Sequence, residues 1–291
     1  MICGLALTNA TFAQGFYLRT SIGYAFPAAG QILDGTATPY SGSATVTVAG
    51  PENYDLKKAS FGSGGYLGAG GGYMFNEHIG IDMAFSFGIA PQKYTFNYTD
   101  VPRAYSVSVI QQATNPAFLI PALVVQSGGD RIKAYGRVGV VMPLNTDITQ
   151  DQVYTTTPAS HVTDYTFQIK SSFSLGFAAA VGLQYQLSDK VKLTGELSFL
   201  SLSTLIKQMD FTKLTQDGQS YPLSADSTVT PHTTYSTHTS GVTVSSTNQV
   251  AYTQPFSNAG FNVGVIFAIG RQGEGNGKKK KGKEHNGYFH H

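Results

Sequence analysis

Five stretches of this chain alternate large apolar residues with small ones, and no other feature constrains the fold as tightly. In the first, Phe16, Leu18, Ile22, Tyr24 and Phe26 share one face, and Tyr17, Arg19, Ser21, Gly23 and Ala25 share the other. Ile79, Ile81, Met83, Phe85, Phe87 and Ile89 oppose Gly80, Asp82, Ala84, Ser86 and Gly88. Residues 173 to 187 repeat the pattern, with Phe173, Leu175, Phe177, Val181, Leu183, Tyr185 and Leu187 on the apolar face. Val191, Leu193, Leu197 and Phe199 oppose Lys192, Thr194, Glu196 and Ser198, and Phe261, Val263, Val265, Phe267 and Ile269 close the series. A period of two is the mark of a β-strand with unlike faces. Residues 61 to 75, 117 to 126 and 132 to 142 add three weaker strands. The first is glycine-rich, and the second is apolar on both faces and contains Pro121, which has no N–H to give to a ladder. The total is eight.

The face opposite the apolar one decides between two environments. A strand of a soluble sandwich shows water Lys, Glu and Thr. Here that face is Gly, Ala and Ser with an occasional charge, a composition suited to a narrow barrel interior. The connections agree. Residues 76–78, 127–131 and 188–190 are short polar turns, whereas about 27–60, 90–116, 143–166 and 202–255 are long. Short and long alternate strictly, and both ends of the chain fall on the short-turn side. Bacterial outer-membrane barrels have short periplasmic turns, long external loops and an even strand count. No run approaches the roughly 18 apolar residues that a spanning helix needs, and strands of ten or more residues are long enough to span at a tilt.

The expected fold is therefore all-β: an eight-stranded antiparallel up-and-down transmembrane β-barrel occupying residues 14–270. Residues 1–13, MICGLALTNATFA, read as the end of a secretory signal peptide cleaved after Ala13, without the usual basic start. Residues 271–291 read as a basic, flexible Gly/Lys tail. That tail holds six of the 19 Lys and Arg and two of the 17 Asp and Glu, which leaves the body with 13 cations and 15 carboxylates. Such a body is not a nucleic-acid binder. The one cysteine, Cys3, excludes an internal disulfide and a cysteine-based metal cluster.

Four charges stand out on the small-residue face, one on each of four alternate strands: Arg19, Asp82, Arg137 and Glu196. Charges withdrawn from water need partners, so complementary signs in one lumen are the expected arrangement. Lys133 and Lys192 either extend this set or lie near the turns in solvent. No catalytic, cofactor or metal site is expected. The histidines sit in a turn (His78), in long connections (His161, His232, His238) or in the tail (His285, His290, His291), and none shares a motif with a nucleophile and a carboxylate. SGGYLGAGGGY does not open a helix, so it is no phosphate loop.

The segments GFYLRTSIGYAF, GYMFNEHIGIDMAFSFG, FSLGFAAAVGLQYQLSDKVKLTGELSFL and NAGFNVGVIF resemble small outer-membrane β-barrel proteins of the OmpA/OmpX/OmpW-like, porin-family kind. The resemblance covers residues 14 to 270. It implies an integral protein of the outer membrane of a Gram-negative bacterium, in contact with outer-membrane lipid, whose internal charges plug the lumen. Thr215 to Thr247 contains 16 Ser or Thr in 33 residues, with alternating runs that also appear at Ala44–Val48 and Tyr105–Val109. By the same resemblance these are hairpins protruding as exposed β-structure, available to an external ligand or surface partner through 27–60 and 202–255. Two other readings stand beside this one: a narrow gated channel for small solutes or hydrophobic molecules, and a soluble secreted β-rich domain.

Overall fold

A computed structural model of the chain describes residues 15–28, 32–33, 57–100, 105–129, 131–156, 161–237 and 244–269. Eight strands form one closed barrel: β1 (Gly15–Pro27), β2 (Gly64–Met74), β3 (Ile79–Pro91), β4 (Ala117–Gln126), β5 (Ile132–Asn145), β6 (Gly176–Gln186), β7 (Val191–Ser201) and β8 (Asn258–Ile269). Each pairs antiparallel with its neighbours in sequence, and β8 returns to β1 in a register running from Phe16 opposite Ile269 to Pro27 opposite Asn258. Pro121 sits inside the wall. The β4–β5 ladder skips residues 120 and 121, so the missing N–H is accommodated there.

The alternation becomes an inverted polarity. Along β1 every second residue faces outward, with Phe16 64% exposed, and on β7 Leu197 is 66% exposed. A water-soluble protein does not leave such a continuous belt of Phe, Leu, Ile and Val uncovered. Two aromatic girdles bound it. Phe16, Tyr73 and Phe75 touch at the turn end, with ring centroids 4.8 and 5.6 Å apart; Tyr24, Phe26 and Phe261 touch at the other, at 5.0 and 6.4 Å. Ten residues separate Phe16 from Phe26, which at the usual rise and a tilt of about 40° makes about 25 Å, the height of a barrel's apolar band.

Beyond the far girdle, three of the long connections build a second sheet. Its strands are Lys93–Asp100 and Tyr105–Ala113 between β3 and β4, Ile148–Thr156 and Val162–Ser171 between β5 and β6, and Ser203–Gln216, His232–Ser236 and Asn248–Val250 between β7 and β8. They lie side by side in that order, the final pairing is parallel, and Gln219–Tyr221 and Thr253–Pro255 also pair with Ser203–Gln216. Tyr105–Val109 falls in one of these strands. Ala44–Val48 and most of 27–60 lie outside the described residues, as do 1–13 and 271–291.

One boundary differs from the sequence reading. The third long connection does not end at 166, and Phe173 and Leu175 do not belong to β6. The Ser172 amide donates to Leu205 O at 2.7 Å and the Ser171 hydroxyl to Thr146 O at 3.1 Å, which holds this backbone to the outer sheet through Ser172, and β6 begins only at Gly176.

Where barrel and outer sheet meet, the polarity turns conventional. Phe61, Phe118, Val141, Ile148, Ile169, Leu202, Ile206 and Phe256 form a buried apolar collar. The apolar core of this protein is at the mouth of the barrel rather than at its middle.

Candidate functional site in the barrel lumen

Side chains at mid-barrel are long on odd-numbered strands and short on β2, β4 and β6. Arg19 comes from β1, Asp82 from β3, Arg137 from β5 and Glu196 from β7. At the same levels β2 supplies Gly70 and Gly72, β6 Ala180 and Gly182, and β4 Ala122. This division lets four long side chains converge without colliding.

Arg19 Nε lies 3.0 Å from Asp82 Oδ2, and Arg137 Nη1 lies 3.8 Å from Asp82 Oδ1. Arg137 also grips Glu196, with Nε donating to Oε2 at 2.9 Å and Nη2 to the same carboxylate. Asp82 and Glu196 are only 4% and 7% exposed. All four sequence-selected charges thus meet in one chain of contacts, Arg19–Asp82–Arg137–Glu196.

Three further polar groups complete it. Tyr17 donates its hydroxyl to Asp82 Oδ2 at 2.8 Å, Tyr135 donates to Glu196 Oε2 at 3.0 Å, and the Asn262 amide donates to Glu196 Oε1 at 3.3 Å and to Ser198 Oγ at 3.0 Å. Each carboxylate therefore has a tyrosine as well as an arginine. The tyrosines depend on glycine. A Cβ on Gly72 would stand 2.4 Å from the Tyr17 hydroxyl, and one on Gly182 would stand 2.8 Å from the Tyr135 ring. Tyr17, Tyr135 and Asn262 have the same strand parity as the charges, so parity alone would have found them.

The quartet divides the lumen into two chambers of about 110 Å³ each. The outer one, lined by Ser21, Tyr66, Ala84, Phe118, Leu200 and Asn258, ends at the aromatic collar. There Phe61 packs on Tyr94 and Phe256, both at 5.9 Å between centroids, and Phe118 packs on Phe256 at 6.3 Å. Backbone and side chains fasten the segment carrying Phe61. Its amide donates to Pro255 O at 2.9 Å, Asn258 Nδ2 donates to Gly62 O at 2.8 Å, and the Tyr94 hydroxyl both accepts from Ser60 N and donates to Ser60 O at 2.9 Å.

The histidines lie apart from this interior. His161 Nδ1 is 2.8 Å from Asp217, and His232 Nδ1 is 2.6 Å from Asp210, both in the outer sheet; His78 sits at the turn end. Burial works to raise the Asp210 carboxyl, but hydrogen bonds from His232, Gln208 and Lys170 outweigh it and hold the group below the ordinary range. His238, His285, His290 and His291 lie outside the described residues. Among the described residues, no cluster of three or more His, Cys, Asp or Glu is arranged to hold a metal.

With the apolar belt, the closed ring and the internal charge quartet in place, comparison with known proteins decides the family. Residues 3–247 match the outer membrane protein beta-barrel domain. This chain belongs to that family. It is accordingly an integral β-barrel of the bacterial outer membrane, and the soluble secreted reading falls, because the exposed apolar belt is the lipid-facing surface. Among solved structures, the outer membrane protein OprG from Pseudomonas aeruginosa is similar at 12% identity, with 89% of this chain and 98% of that one covered and a TM-score of 0.42. In vitro folded OmpT, an outer membrane protein of Vibrio cholerae, aligns at 10% identity over 90% and 99%, with a TM-score of 0.09. Comparison with curated proteins gives no match.

Proposed function

We propose that this family member works at the cell surface through its outer sheet, and that its lumen is a closed, non-catalytic interior. The observation that carries this reading is the second sheet. Three separate connections, which could each have been an independent loop, pair into one ordered surface beyond the membrane. Its final connection, 202–255, holds most of the Ser and Thr, whose hydroxyls suit hydrogen bonding to a polysaccharide or a protein surface.

Two features support a closed lumen: the charge quartet at its middle and the aromatic collar at its outer mouth. A charged cluster alone would open by rotamer exchange, but the collar is apolar and separately fastened. His161 and His232 each hold an aspartate of the outer part of the molecule, Asp217 and Asp210.

Single-channel recording of the refolded protein in planar bilayers tests the closure, with folding verified by heat-modifiable gel migration. Wild type, Glu196→Ala and Phe61→Ala are each expected to be silent, because either barrier suffices, while the double variant conducts. Discrete openings in wild type would sink the closed-lumen reading in favour of a narrow channel. The surface role is tested by replacing residues 219–250 with a short turn and comparing vesicle adhesion to polysaccharide-coated and protein-coated surfaces. Equal adhesion by both proteins would sink it.

A further inference from the structure

The inner chamber of the lumen carries a charge imbalance that the quartet does not cancel. Its mouth is at the turn end, bordered by Gly15, Met74 and Ile269. Six charged side chains line it: Arg19, Lys133, Arg137 and Lys192 against Asp82 and Glu196, which leaves a net charge of +2. Both carboxylates are already engaged by arginines. Among the described residues, neither Lys133 nor Lys192 has a carboxylate within ion-pair distance.

The two lysines are placed together by register. Lys133 on β5 is opposite Gln184 on β6, and Lys192 on β7 is opposite Gln186 on the same strand. One strand separates them, so their backbones are about 10 Å apart on one wall, within joint reach of a small ion for two long side chains. Between them, Gln184 is 6% exposed and lines the chamber. Two ammonium groups that no carboxylate pairs, with an amide between them, form a receptor for an oxyanion, held by charge-assisted hydrogen bonds.

We infer that the inner chamber is a binding site for a small soluble oxyanion, of the phosphate or carboxylate class, which enters from the periplasm and is held by Lys133, Lys192 and Gln184. The quartet forms the inner floor of the site and prevents through-passage. The site is independent of the outer sheet, so it stands or falls separately from the surface role.

The test is calorimetric titration of inorganic phosphate into the folded barrel in maltoside micelles. Wild type is expected to bind one phosphate saturably, and Lys190→Gln, which removes a charge from the exposed turn beside the chamber, is expected to match it. Lys133→Gln/Lys192→Gln, folded by gel migration, is expected to bind at least tenfold more weakly. No saturable binding by folded wild type overturns the assignment, and so does a double variant that binds like wild type. Repeating the titration in phosphatidylcholine nanodiscs with and without phosphatidylglycerol separates the sources of phosphate. Unchanged affinity supports the soluble anion. Competitive loss would give these lysines to a lipid headgroup and overturn it.

Discussion

The barrel and its collar are made from one chain by opposite rules. Within the membrane span the apolar residues face out and the buried groups are Asp82, Glu196, Arg19 and Arg137 with their tyrosines. A few residues farther along the same strands, Phe118, Val141 and Leu200 point inward and join Phe61 and Phe256 in a dry cluster. The solvent outside makes the difference. Lipid accepts apolar side chains at no cost, so the span has no hydrophobic drive toward its interior and can fill that interior with polar groups satisfying one another. Past the girdle the outside is water, and apolar residues gain by turning in.

This contrast can be broken at several points. The largest effect is expected from Asp82→Ala, which strands Arg19 in the lumen; removing one partner of a buried pair costs about 3–5 kcal/mol. Urea unfolding from vesicles would read it, and restoring stability with Arg19→Met in the same chain would show that the unpaired charge, rather than a cavity, was responsible. On the lipid face, Leu197→Arg is expected to cost about 2–4 kcal/mol because a cation there meets hydrocarbon. The same measurement should find Leu197→Ala far milder than Phe256→Ala, the collar counterpart. Equal losses from those two would mean that the two regions are not stabilised differently after all.

Smaller effects sharpen the picture inside the lumen and outside the membrane. Tyr135→Phe removes a hydrogen bond to a charged carboxylate and is expected to cost about 1.5–3 kcal/mol. Gly182→Ala should cost at least part of that loss, because its Cβ would stand 2.8 Å from the Tyr135 ring and 2.5 Å from the Gly195 carbonyl oxygen. The smallest effect is pH-dependent. Because the Asp210 carboxyl is held below its ordinary range in the folded sheet, its contribution is present above the unfolded value of about 3.9 and fades as pH falls through the folded one. Hydrogen exchange of the His232–Ser236 strand, corrected for intrinsic rates, should therefore accelerate below about pH 4 in wild type. In Asp210→Asn that acceleration should be absent.

Much of the barrel was legible because its rule is local. Parity along each strand tells which residues face lipid, and strict alternation of short and long connections tells which end is which. Arg19, Asp82, Arg137 and Glu196 could be chosen by the same parity, and Tyr17, Tyr135 and Asn262 obey it too. The collar was not legible. Phe61, Tyr94, Phe118 and Phe256 belong to four distant segments with no common period, and only the three-dimensional path of the chain brings their rings together. The start of the sixth strand was obscured for a related reason. Phe173 and Leu175 continue the alternation, but the Ser172 amide is taken by Leu205, a partner that no local pattern reveals.

The pairing of β8 with β1 joins the last strand to the first across some 250 residues of chain. Until Asn258–Ile269 has emerged, β1 has one free edge and the lumen one missing wall, with the buried charges open to lipid. A chain that ends before residue 258 lacks the strand that closes this ring, and its β1 keeps an unpaired edge whose N–H and C=O groups need another partner.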